Sequence, residues 1–166
     1  MTSILLAEDS PRDAEMVINA LEEYHLANEI VHVWDGEEVL DFLYRRGKFA
    51  DRPPGHPGVV LLDLKMPKVD GLEVLRQIKG DPALQMIPVV VMTSSREEQD
   101  VVASYKLGVN AYVVKPVKFP DFVEAVKKLG GFWAFINQPP PGSARFFDEK
   151  NNPEQTRPAP ATPPVP

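Results

Sequence analysis

The chain has no cysteine among its 166 residues. A disulfide scaffold, a thiolate metal site and a cysteine nucleophile are therefore excluded, and the composition suits a reducing compartment without requiring one. Histidine is scarce as well: His25, His32 and His56 lie scattered without ligand spacing and read as structural or solvated. A basic surplus is also missing, since 18 Lys+Arg stand against 24 Asp+Glu for a formal net charge of −6. Such a balance argues against a general nucleic-acid binder, which needs a basic patch for phosphate. No apolar run approaches the roughly 18 residues of a membrane span. Met1 leads almost directly into a strand-like segment rather than a signal peptide. The expectation is a cytoplasmic protein with neither a membrane nor a nucleic acid as partner.

Proline is the residue in excess, at 18. Nine of these fall after position 138, in a stretch that ends APATPPVP. Such a segment neither pairs as a strand nor continues a helix, so it is expected to be disordered or polyproline-like. Within it Arg145, Lys150 and Arg157 balance Asp148, Glu149 and Glu154, which leaves no basic bias for a DNA-binding output region. Three more, Pro53, Pro54 and Pro57, sit in GKFADRPPGHPG (Gly47 to Gly58) and predict a long surface loop. The resulting division is one domain over residues 1–130, an aromatic and proline-containing extension over 131–147, and a proline-rich tail over 148–166.

The domain alternates between two periods. Ile4-Leu5-Leu6-Ala7 is a short apolar run, and Ser10-Pro11-Arg12-Asp13 then supplies an N-cap, a proline at N1 and an acidic N3. The helix so opened carries Ala14, Val17, Ile18 and Leu21 on one face. A strand at Ile30 to Val33 and a helix with Val39, Leu40 and Leu43 follow. Val59-Val60-Leu61-Leu62 has the continuous apolar character of a parallel strand buried on both faces. Leu72, Leu75 and Ile78 mark a third helix, and Val89 to Met92, Val101 to Leu107, Ala111 to Val114 and Phe119 to Leu129 complete the alternation. Five β-α units predict a flavodoxin-like, doubly wound parallel sheet of order 2-1-3-4-5 with helices on both faces. A site is then expected at the carboxyl ends of strands 1 and 3, where the winding reverses.

Chemistry-bearing residues stand at those strand ends. Strand 1 ends in Glu8-Asp9 and strand 3 in Asp63, bringing together like charges that are costly unless a cation holds them. Oxygen ligands in this number suit Mg²⁺, which keeps several waters and takes few protein carboxylates. Strand 4 ends in Thr93-Ser94-Ser95 and strand 5 in Lys115-Pro116, adding a hydroxyl and an ammonium. Together they make a site for phosphoryl chemistry.

Glu8-Asp9, LLDLKMPKVDG (Leu61 to Gly71), VVVMTSS (Val89 to Ser95) and AYVVKP (Ala111 to Pro116) together resemble the receiver domain of two-component response regulators over about the first 130 residues. The resemblance implies that Asp63 is phosphorylated from a histidine kinase. It also implies that Glu8, Asp9, Asp63 and the backbone carbonyl of Lys65 hold Mg²⁺, that Lys115 binds the phosphoryl group, and that Thr93 and Tyr112 form the switch pair. Lys115-Pro116 is similar to the family's cis peptide, a geometry that only proline makes accessible. A narrower resemblance links the loop before strand 3 and the ending SYKLGVNAYVVKPVKFPDFVEAVKKLGGFWAFINQPPP to the small regulators that partner phytochromes. It points to a phytochrome kinase as the partner. Such a chain is a signalling module that catalyses its own phosphorylation and dephosphorylation, not a metabolic enzyme.

Three other readings compete. A haloacid-dehalogenase-type phosphohydrolase wants a second Asp two residues after the nucleophile, and here that residue is Lys65. A flavodoxin-like FMN binder needs a hydroxyl- or glycine-rich loop after strand 1, whereas Glu8-Asp9-Ser10-Pro11 would repel its phosphate. A degenerate receiver acting only as an adaptor has no need of the intact constellation. Gly71 reads as serving a turn before helix 3. Finally, Phe132, Trp133, Phe135 and Ile136, which follow Gly130-Gly131 and precede three prolines, read as a homodimer seam that Phe146 and Phe147 could extend.

Overall fold

The computed structural model describes residues 3–26 and 29–143. Its elements alternate throughout: β1 (Ser3–Ala7), α1 (Pro11–Glu23), β2 (Glu29–Val33), α2 (Gly36–Tyr44), β3 (Val59–Leu62), α3 (Gly71–Gly80), β4 (Val89–Thr93), α4 (Glu98–Lys106), β5 (Ala111–Val114) and α5 (Phe119–Gly131). The sheet is all parallel with order β2-β1-β3-β4-β5, as the alternation predicts. Helix starts follow the local chemistry. Ser10, Asp35 and Asp70 accept from the backbone N–H three residues on, at 3.3, 2.8 and 3.0 Å, and so satisfy orphan donors of α1, α2 and α3.

Alternating strand residues feed two cores. Leu5, Val60, Leu62, Val89 and Val91 pack with Val39 of α2 and Val74, Leu75 and Ile78 of α3. Ile4, Leu6, Leu61, Val90 and Met92 pack with Val17 and Leu21 of α1 and Phe122 and Val126 of α5. Burial on both faces explains why β1, β3 and β4 read as continuous apolar runs. Pairing aligns Ala7 with Leu62 and Thr93 with Val114, so Glu8 and Asp63 leave the sheet side by side and Lys115 follows beside Thr93.

Four details differ from the sequence reading. First, α4 begins at Glu98 rather than Val101, because its buried residues are Asp100 and Ser104, which an apolar pattern does not mark. Second, α5 runs through Gly130 and Gly131 and continues into a π-helical turn over Phe132–Ile136. A Cβ on Gly130 would stand 2.7 Å from a Leu21 methyl and 2.9 Å from one of Leu26, so glycine here permits close packing of α5 on α1. Trp133, assigned above to a homodimer seam, is buried in the α1–α5 core, whereas Phe132, Phe135 and Ile136 are exposed. Third, the proline segment turns back on the domain, with the His56 N–H donating to the Gly142 carbonyl at 3.3 Å and His56 bridging Ser143. The loop before β3 is itself tied down by Arg52, which donates to the carbonyls of Phe42, Pro53 and Gly55. Fourth, the Lys115–Pro116 bond is trans rather than cis. Trans is the intrinsically favoured isomer by about 0.5–1 kcal/mol, and Lys115 reaches its carboxylate partners from it. Phe146, Phe147 and residues 148–166 lie outside the described residues.

Candidate functional site

The site forms where β1, β3, β4 and β5 end. Glu8 and Asp63 are buried and Asp9 is exposed, yet each offers a carboxylate oxygen to a group whose members lie within 4.8 Å of one another. Backbone contacts hold these acids: the Glu8 N–H donates to the Val33 carbonyl and the Asp63 N–H to the Ala7 carbonyl, each at 3.1 Å, and the Ser10 N–H donates to Glu8 Oε1 at 3.0 Å. His32 on β2 donates from Nε2 to the Glu8 carbonyl at 2.8 Å while packing edge-on against Trp34.

Lys115 is the counter-charge. Its ammonium, also buried, donates to Glu8 Oε2, to Asp63 Oδ2 at 3.0 Å and to Asp13 Oδ2 at 2.9 Å. Asp13 entered the sequence reading only as an acidic residue at a helix start. Its second role depends on a partner 102 positions away, which no local pattern shows.

The electrostatics follow from burial. Removal from water pushes the Glu8 carboxyl up to about 7, against the lowering effects of the Lys115 hydrogen bond and charge and of the Ser10 N–H, while the Asp63 charge raises it further. For Lys115, burial works against the charged form. The hydrogen bond to Glu8, the charges of Asp63 and Glu8 and the hydrogen bond to Asp13 outweigh it and raise the ammonium above its ordinary value.

The flanking residues meet at Ser95. Thr93 is fully buried, and its Oγ1 accepts from the Ser95 N–H at 3.3 Å. Tyr112 is half-buried and donates to the Ser95 carbonyl at 3.1 Å. Lys65 donates its backbone N–H to Asp63 Oδ1 at 3.3 Å, and its side chain pairs with Asp100 at 3.7 Å. Gly71 is more than a turn residue. A Cβ there would stand 2.3 Å from the Asp63 carbonyl oxygen and 2.6 Å from Leu64 Cα, so glycine lets the start of α3 press against the strand end that carries Asp63.

Every candidate except the seam residues is thus brought to one end of the sheet. Hard carboxylate oxygens make an acidic pocket suited to a divalent cation. A buried ammonium on Asp63 suits an anion such as phosphoryl.

The family model of the response regulator receiver domain matches residues 4–127. The chain belongs to the response regulator receiver family. Response regulator Rcp1 of Synechocystis sp. is 42% identical over 130 residues, covering 78% of this chain and 87% of the relative. The crystal structure of Rcp1 in its Mn²⁺-bound form superimposes with a TM-score of 0.80 at 39% identity, covering 84% of this chain and 99% of that one. The phosphorylated cyanobacterial phytochrome response regulator RcpA gives 0.79 at 38%, covering 84% and 98%. The bacteriophytochrome response regulator AtBRR gives 0.67 at 59%, covering 83% and 99%. The receiver is a signalling module of phosphorelays, homologous to phytochrome response regulators. Nothing in these likenesses supports a haloacid-dehalogenase-type phosphohydrolase, and the side chain of Lys65 pairs with Asp100. Among the described residues no helix is long and apolar enough to cross a membrane.

Proposed function

We propose that this receiver accepts a phosphoryl group on Asp63 from the phosphohistidine of a phytochrome-type histidine kinase and signals through altered protein contacts. The observation that carries the reading is the buried triad of Glu8, Asp63 and Lys115 at the switch point of the sheet, with Lys115 Nζ 3.0 Å from Asp63 Oδ2. An Asp63 carboxylate oxygen attacks phosphorus in line, forming an acyl phosphate as the phosphorus–nitrogen bond to the donor histidine breaks. Lys115 stays beside Asp63 and offsets the charge of the phosphoryl oxygens, and Thr93 offers its hydroxyl. Glu8, Asp9, Asp63 and the Lys65 carbonyl would hold Mg²⁺, which supplies further positive charge when bound. The same groups serve hydrolysis of the acyl phosphate, so the chain contributes to its own phosphorylation and dephosphorylation. Tyr112 reads out the change with Thr93.

The receiver is assigned to residues 1–130, the extension to 131–147 and the tail to 148–166, with a cytoplasmic site of action. A second copy of the chain is the partner proposed for the exposed face of Phe132, Phe135 and Ile136. Incubation with a small-molecule phosphodonor and Mg²⁺, followed by intact-mass measurement, tests the acceptor. Wild type gains one phosphoryl group and Asp63→Asn gains none; an equal adduct on the variant, or none on wild type, defeats the assignment.

A further inference from the structure

An ammonium has three N–H donors and no acceptor, and on Lys115 three carboxylates take all of them: Glu8 Oε2, Asp63 Oδ2 at 3.0 Å and Asp13 Oδ2 at 2.9 Å. Three donors do not serve four oxygens. A phosphoryl oxygen that is to receive a hydrogen bond from this ammonium must therefore displace one of the acids. They are not equally displaceable. The side chains of Glu8 and Asp63 are 3% and 9% exposed and that of Asp13 is 28% exposed, so Asp13 is the one of the three that can exchange the ammonium for water without leaving a buried charge unpaired. Its place in the fold permits the exchange. Asp13 stands in the first turn of α1, where Ser10 Oγ accepts from its backbone N–H at 3.3 Å, so the cap of the helix does not depend on the Asp13 carboxylate. A cavity of about 120 Å³, bordered by Arg12, Asp13, Met16 and Lys115, opens beside the contact and gives the side chain room to turn.

We infer that Asp13 is a positioning residue that acts as a placeholder: it occupies the Lys115 donor that a phosphoryl oxygen on Asp63 takes over. This rests on the reading of Asp63 as acceptor and deepens it. While Asp63 is a free carboxylate, Asp13 fixes the third direction of the ammonium and keeps Lys115 fully paired in its buried position. Once Asp63 carries a phosphoryl group, Lys115 keeps Glu8 and the remaining Asp63 oxygen, its third N–H passes to a phosphoryl oxygen, and Asp13 turns to water. Asp13 itself makes and breaks no bond to phosphorus. Because the Asp13 and phosphoryl oxygens compete for one donor, the placeholder weakens the hold on the phosphoryl group by the free energy of its own bond to Lys115.

Affinity for beryllofluoride, a phosphoryl mimic, at saturating Mg²⁺ reads that competition in the full-length protein. Asp13→Ala frees the donor and is expected to bind the mimic about fivefold tighter than wild type. That gain equals one ordinary hydrogen bond, because water on the exposed side of Asp13 weakens the pair. Asp13→Asn keeps an uncharged acceptor for the ammonium and gains about twofold. Glu15→Ala removes the same charge from an exposed position on the same helix and leaves the affinity unchanged. A role confined to the start of α1 would lower the urea unfolding midpoint of the Asp13 variants without tightening the mimic. That result, a weaker hold on the mimic in Asp13→Ala, or an equal gain in Glu15→Ala overturns the placeholder and leaves Asp63 as the acceptor. If wild type itself fails to bind the mimic, or Asp63→Asn binds it equally well, the acceptor reading fails and the placeholder falls with it.

Discussion

Glu8 shows how one buried carboxyl couples the site to pH. Between its ordinary value of 4.5 and about 7, the folded chain keeps a proton on Glu8 that the unfolded chain has lost. Its contribution to stability therefore declines as pH rises through that window and levels off above about 7. Lys115, raised from an already high value, stays charged throughout. A divalent cation held by Glu8, as proposed, would have to expel that proton. Affinity for Mg²⁺ is thus expected to rise by up to about tenfold per pH unit below 7 and to flatten above it. Calorimetric titrations from pH 5.5 to 8 check this, and Glu8→Gln should bind more weakly with little slope; an equally steep slope in the variant would locate the proton elsewhere. At this scale the strand-end residues were legible because a parallel strand leaves its last side chain at the switch point whatever the rest of the chain does. Asp13, His32, Ser95 and Asp100 were not, since each acquires its role from a partner brought near only by the fold, as Ser95 does from Tyr112 17 positions away.

Among the elements, α4 stands apart. Where α3 buries Val74, Leu75 and Ile78, α4 buries Asp100 and Ser104, so little apolar contact anchors it. Segments with few buried apolar contacts open at low free energy. Amide hydrogen exchange in α4 is therefore expected to be faster than in α3 or α5, and equal protection would show that polar contacts hold it as firmly as a core does. Ser104 sharpens the point, because its side-chain oxygen is buried without a hydrogen-bond partner among the described residues. Ser104→Ala removes that uncompensated group and should stabilise the fold by about 1 kcal/mol, measured by urea denaturation; a loss of stability would mean the hydroxyl has a partner. The same polarity explains why the periodicity of α4 misplaced its start by a turn, whereas α1, α3 and α5, with their apolar stripes, were readable within a residue or two. Trp133 was misassigned for the opposite reason. Aromatic content alone does not tell which side of the last helical turn faces Leu21 and Val126.

For the molecule as a whole, charge and apolar surface lie in different places. The charged residues after position 138 cancel, so the net charge of −6 belongs to the domain, and three of its acids gather at the pocket. The flank formed by β5, α5 and the terminal turn is the apolar region. There Phe135 and Ile136 are 61% and 73% exposed, and the exposed Phe132 borders a groove of about 560 Å³ together with Val113 and Leu129. Protruding side chains next to a groove of the same chemistry form the kind of self-complementary patch that a two-fold interface requires. A second copy is the partner proposed for this flank. Light scattering after size exclusion should give a dimer for wild type at tens of micromolar and a monomer for the double variant Phe135→Glu, Ile136→Glu. Both positions are exposed, so the fold is retained, and the variant should take up a phosphoryl group on Asp63 as wild type does. A wild-type monomer at that concentration, or a variant that still dimerises, removes this flank as the seam and leaves the site at the other end of the strands intact.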